Sequence, residues 1–134
     1  MGSEMCIRDS VIDSDYSAHS GGVTNILGGS LGLSPEANSG SVFNISGGLI
    51  GAQFDANSGS EINISGGAVR VGFNANSGSV VNISGGAIAS SFEAFAGSEV
   101  NVSGGTFGVN FNALTGSNVT FNGGEYSLLS LIHI

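Results

Sequence analysis

Glu36 and Asp55, 19 residues apart, are the first pair in this chain whose side chains could act together on a ligand. With Asn38 and Asn57 two residues beyond them, they offer the oxygen donors that hold a hard cation such as Ca²⁺ weakly. No Asp follows the Gly pairs at the spacing of the calcium-binding solenoid repeat, so the pair reads as part of a solvated acidic row. In a second row Glu61 and Glu99 alternate with Val42, Val80 and Asn118, which keeps like charges a coil apart. His19 and Arg70 each stand by themselves. Neither has a partner that would make a nucleophile, a general base or a metal set. Arg70 takes a place held by Gly32, Gly51, Ala89 and Gly108 in other coils, and reads as a solubilising surface charge. The chain is therefore expected not to be an enzyme and to need no cofactor.

The most regular polar residues are Asn25, Asn44, Asn63, Asn82 and Asn101. Their amides are expected to hydrogen-bond from one coil to the next as a ladder. Ser46, Ser65, Ser84 and Ser103 lie two residues on, so the two rows would form a flat, uncharged polar face. Every such coil also carries the Asn-x-Ser acceptor pattern for glycosylation, which the repeat generates whether or not a transferase meets it.

What positions these residues is a repeat. NISGG begins at Asn44, Asn63 and Asn82 and NVSGG at Asn101, always 19 residues apart; NILGG at Asn25 and TFNGG at Thr120 keep the register with no insertion. The unit is N-[IV]-S-G-G-x-h-x-x-x-F-x-A-x-S-G-S-x-[VI], with h apolar. It is too short for a helical hairpin repeat, and its Gly and β-branched residues oppose helix. Val81 and Ile83 alternate with Val80, Asn82 and Ser84, as in a strand with one buried face. Val69, Val71, Phe73 and Ala75 suggest a second strand alternating with Arg70, Gly72 and Asn74. The Gly pair and the N-S-G segment supply the corners. The expected fold is all-β: a single-stranded parallel β-solenoid (β-helix) of about six coils, each 19 residues long.

Stacking at the strand spacing of about 4.8 Å turns each position into a column. Phe54, Phe73, Phe92 and Phe111 form an internal one, preceded at equivalent places by Pro35 and Tyr16. Ile45, Ile64, Ile83 and Val102 form another, beside Ile62, Val81, Val100 and Val119. Pro35 interrupts the aromatic column and cannot donate to a ladder, so a local distortion is expected there.

Composition agrees. Of 134 residues 24 are Gly, 9% are charged and 40% hydrophobic, too apolar and weakly charged for disorder. Gly has no period of three, and no run of about 20 apolar residues could span a bilayer. A net charge of -8 without any Lys makes nucleic acid and anionic membranes improbable partners.

The ends differ from the middle. One codon choice for MCIRDS (Met5–Ser10) has a reverse complement that translates as LSLIHI (Leu129–Ile134), and the oligonucleotide resembles a transposase mosaic end used in sequencing libraries. Residues 1–10 and 129–134 are accordingly read as adapter-derived, and 11–128 as the solenoid segment of a metagenomic fragment. Cys6, Arg8 and His133 then lie outside the repeat.

Coils rich in G-S-x-V-N-I-S-G-G resemble the parallel β-solenoid repeats of secreted bacterial surface proteins, including autotransporter passengers and filamentous haemagglutinin-type adhesins. The resemblance lies in repeat style and coil length, over roughly residues 11–128. It implies a right-handed β-helix on the cell surface or outside the cell, acting as a structural or adhesive segment of a larger exported protein, with carbohydrate or another surface ligand as a partner. Two alternatives remain: a non-catalytic portion of a polysaccharide-active β-helix enzyme, or a solenoid face that binds ice or carbohydrate. End-to-end self-association is also expected of the isolated fragment, because no cap is visible and its terminal coils would carry unpaired edges.

Overall fold

The structure, a computed structural model, describes residues 4–12 and 14–128, with side chains described as far as Asn122. It is an all-β parallel solenoid of about six turns, each of about 19 residues. Each coil has three short strands. The first and longest, such as Val42–Ile45, Glu61–Ile64 and Val80–Ile83, carries the V-N-I motif. A second of two residues follows the Gly pair, as in Leu49–Ile50 and Ala68–Val69. The third lies beside the Phe position, as in Asp55–Ala56 and Asn74–Ala75. Each pairs in parallel with its equivalents one coil away, Asn63 facing both Asn44 and Asn82.

First and second strands run into one another at Glu99–Phe107, which joins their rows into a twelve-stranded sheet; the third row is a separate six-stranded sheet. The expected second strand is thus two strands in different sheets. Val69, Phe73 and Ala75 point inward, but Val71 is 48% exposed. Alternation fails there because the chain turns between them.

That turn is a third corner in addition to the two expected. Asp15, Ser34, Gln53, Ser91 and Asn110 hold φ between 56° and 65°, and Gly72 holds the same place at 87°. A positive φ swings the peptide N–H to the opposite side of the coil. Most backbone donors bond back to the preceding coil, as Asp55 N–H does to Pro35 (3.0 Å), whereas Gln53 N–H bonds forward to Val71 (2.9 Å) and Ser34 N–H to Ala52 (2.8 Å). These bonds hold an L-residue in a region it seldom visits.

The other corners are built differently. At Gly48 and Gly67 φ is near 80°, and a Cβ on Gly67 would lie 2.8 Å from the Gly47 carbonyl oxygen, so only Gly fits. In the N-S-G-S turn the buried Ser41, Ser60 and Ser79 close the loop twice, with N–H and with Oγ, onto the carbonyl oxygen three residues back (Oγ to O 2.6, 2.6 and 2.7 Å). Among the described residues every buried side-chain N or O atom has a partner.

The interior is the predicted set of columns. Phe54, Phe73, Phe92 and Phe111 stack with centroids 4.9, 4.9 and 4.7 Å apart and planes within 7° of parallel. All four are buried, and full burial of a Phe stabilises by roughly 1.5–3 kcal/mol. Pro35, also buried, does not distort the coil as expected. Glu36 pairs with both Ser17 and Asp55 in unbroken register. The equivalent Phe54 and Phe73 donate no backbone hydrogen bond, so proline removes nothing from the ladder. Its missing ring is replaced from another column: Phe43, between Thr24 and Ile62 in that column, stands edge-on to Tyr16 (6.0 Å) and to Phe54 (5.1 Å).

The ends modify two further expectations. Glu4–Ile7, from the segment set apart by its sequence, pairs in register with Val23–Ile26, placing Cys6 in the Asn column and Ile7, buried, in the Ile column. At the other end the 19-residue register does not run through. It holds from Glu99↔Asn118 to Val102↔Phe121, then slips by two so that Gly104 faces Glu125 and Phe107 faces Leu128. The slip falls at Gly123 and Gly124, where extra backbone is accommodated most cheaply. Residues 129–134 lie outside the described residues.

Candidate functional site

The strand alternation that buries Ile45, Ile64 and Ile83 turns the Asn row outward, where it is half-buried. Each amide Nδ2 donates to the Oδ1 of the Asn one coil earlier: Asn44 to Asn25 (2.9 Å), Asn63 to Asn44 (3.0 Å), Asn82 to Asn63 (2.9 Å) and Asn101 to Asn82 (3.0 Å). The expected ladder is complete. The second amide hydrogen goes to a carboxylate where one is present, from Asn63 to Glu61 (2.9 Å) and from Asn101 to Glu99 (3.0 Å). These two acids therefore serve the ladder, a role their alternating spacing did not reveal. Ser46, Ser65 and Ser84 are exposed and lean at 3.4 Å onto carbonyl oxygens of the preceding coil. The face is polar, but its groups largely bond to one another.

A second, shorter ladder was not anticipated. Asn76 donates to Asn57 (3.2 Å), Asn57 to Asn38 (3.4 Å) and Asn38 to the Ser17 hydroxyl (2.6 Å). Its signal was the Asn shared by three successive corners, Asn38, Asn57 and Asn76, before Phe95 and Leu114 take the place. The ladder also bears on the cation candidate. Glu36 and Asp55 are backbone neighbours as expected, but the Oδ1 atoms of Asn38 and Asn57 accept ladder bonds, and Asp55 accepts from Asn74 (2.8 Å). No group of three or more His, Cys, Asp or Glu residues that could hold a metal ion occurs among the described residues. His19 is exposed beside the Tyr16–Ala18 edge and approaches no such group.

Arg70 is exposed, as a surface charge is, and the structure adds what surrounds it. It follows the second strand Ala68–Val69 and stands at one end of a groove of about 260 Å³ that crosses four coils. Val11, Leu33 and Leu49 wall the groove, Ser14 and Ser30 bring hydroxyls, and Gly32 and Gly51 present bare backbone in the column that Arg70 continues. A Cβ on Gly51 would collide with the Gly32 carbonyl oxygen, so this depression is built into the stacking. No hydrogen bond or ion pair with the described residues engages the guanidinium. Sequence pattern pointed to Arg70 as singular but could not show a groove, whose walls come from different coils. No protein-family model, curated protein or solved structure matches the chain.

Proposed function

We propose that the chain is a structural or adhesive segment of a larger exported bacterial surface protein. What supports this reading is the uniformity of its outer columns: the Asn row repeats one side chain from coil to coil with its hydrogen bonds turned along the stack. Such a surface stiffens a stem and offers no convergence of acid, base and nucleophile for turnover. Antibody to the purified chain, applied to cells that carry the full-length gene, is expected to label them intact; labelling only after permeabilisation would overturn the surface assignment. Release of reducing ends from acidic or neutral polysaccharides, lost on Arg70→Ala, would replace this reading with an enzymatic one.

For the isolated fragment we also propose end-to-end association. Glu4–Ile7 and Ser17–Ala18 each have a sheet neighbour on one side among the described residues, and equal columns in every coil would let one molecule extend the stack of another. Light scattering is expected to give an apparent mass that rises with concentration. A monomer that persists across the series counts against it.

A further inference from the structure

We infer that the groove ending at Arg70 binds a carboxylate-bearing sugar ring of the uronic acid class. The inference deepens the adhesive side of the proposed function and rests on it. Charge supplies the first argument. Within a chain of net charge -8, Arg70 and Arg8 are the basic residues of fixed charge, and the Arg70 guanidinium is unpaired at the end of a groove with no acid among its described lining residues. Guanidinium groups recognise carboxylates through paired, parallel N–H donors. Arg70 is exposed, so its guanidinium is free to turn toward such a partner.

The lining supplies the second argument. Val11 (75% exposed), Leu33 (52% exposed) and Leu49 offer aliphatic surface, while Ser14, Ser30 and the bare backbone at Gly32 and Gly51 offer hydrogen-bonding groups. A pyranose ring matches this mixture with C–H bonds on one face and hydroxyls at its rim. At about 260 Å³ the groove lies below the roughly 300–1,000 Å³ usual for small-molecule pockets, a size for one ring and not for an enclosed chain. A fatty acid would need a closed apolar tunnel, and this groove is open with a partly polar lining.

The test is titration of the isotopically labelled chain with methyl glucuronide and methyl galacturonide, against the corresponding neutral methyl glycosides and acetate. The acidic sugars are expected to shift the backbone amides of Gly32, Gly51 and Arg70 saturably in the millimolar range, with the neutral glycosides and acetate each weaker by about tenfold or more. Arg70→Ala should lose about tenfold in affinity and Arg70→Lys should lose less, with the rest of the spectrum unchanged. Equal response to acidic and neutral sugars, equal response to acetate, an unaffected Arg70→Ala variant, shifts confined to the Asn face, or no saturable shift would each overturn the assignment. Such a failure is distinct from failure of the proposed function, which is read from antibody labelling of intact cells.

Discussion

The Phe column inside the coil and the Asn ladder outside it have the same period and nearly the same direction, yet they hold the stack by different means. Phe54, Phe73, Phe92 and Phe111 are buried and stack at 4.7–4.9 Å, so their contribution is area removed from water plus ring contact. The column also tolerates substitution from a neighbouring row, as Phe43 shows by filling the space beside Pro35. The ladder Asn residues are half-buried and each makes a directed bond of 2.9–3.0 Å to its equivalent one coil away. A slip of two residues would leave much of the apolar surface able to rebury, with Ile62 in the place of Ile64, but would break every amide bond. Burial supplies most of the stability, and the ladder supplies register.

The sharpest way to break this comparison is Phe73→Ala, which removes a ring lying 4.9 Å from both of its neighbours. It is expected to cost about 3–5 kcal/mol, read as a lower urea midpoint. A shift no larger than that of Asn82→Ala would mean that the ladder carries the fold. Next in size is Gly67→Ala at the Gly-pair corner, where φ is 79° and the new Cβ meets backbone at 2.8 Å. A loss of about 1–3 kcal/mol is expected from chemical denaturation, and an unchanged midpoint would show that the corner gives way. Asn82→Ala deletes one ladder bond given and one received, at an expected cost of about 1 kcal/mol because the site is half-solvated. Its more telling readout is amide hydrogen exchange: faster exchange at Asn63 and Asn101 than at Asn74, whose N–H bonds to Phe54 (2.8 Å), would place the ladder in register, and uniform exchange would not. The smallest change is Gln53→Gly at the third corner, expected to raise stability by about 0.5 kcal/mol as relief of the left-handed strain exceeds the added chain entropy. A destabilised variant would show that the Gln53 side chain contributes more than its backbone conformation costs.

Much of this was legible from the chain. The 19-residue interval, the inward Phe and Ile columns and the outward Asn ladder follow from periodicity, because in extended backbone alternate residues must face opposite sides. Val71 shows where that logic stops. Alternation carried it inward along with Val69 and Phe73, but Gly72 at φ 87° turns the chain and sends Val71 to solvent. The corner is hard to read because Asp15, Ser34, Gln53, Gly72, Ser91 and Asn110 have no residue type in common. Their conformation is imposed by bonds to the next coil and is weakly encoded in their own propensities. The candidate site divides in the same way: Arg70 stands out in the repeat, while its groove does not.

By itself the sequence determined the coil length, the parallel stacking and the residues that form the Phe and Asn columns, since a repeated side chain at a constant interval can satisfy itself only against its own copies. Tertiary structure decided the third corner, the replacement of the Pro35 ring by Phe43, the slip of register after Val102 and the meeting of Val11, Leu33, Leu49 and Arg70 around one groove. Each of these depends on contacts between different positions in different coils. A one-dimensional repeat records which residues share a column, whereas the space between columns exists only once the coils are packed.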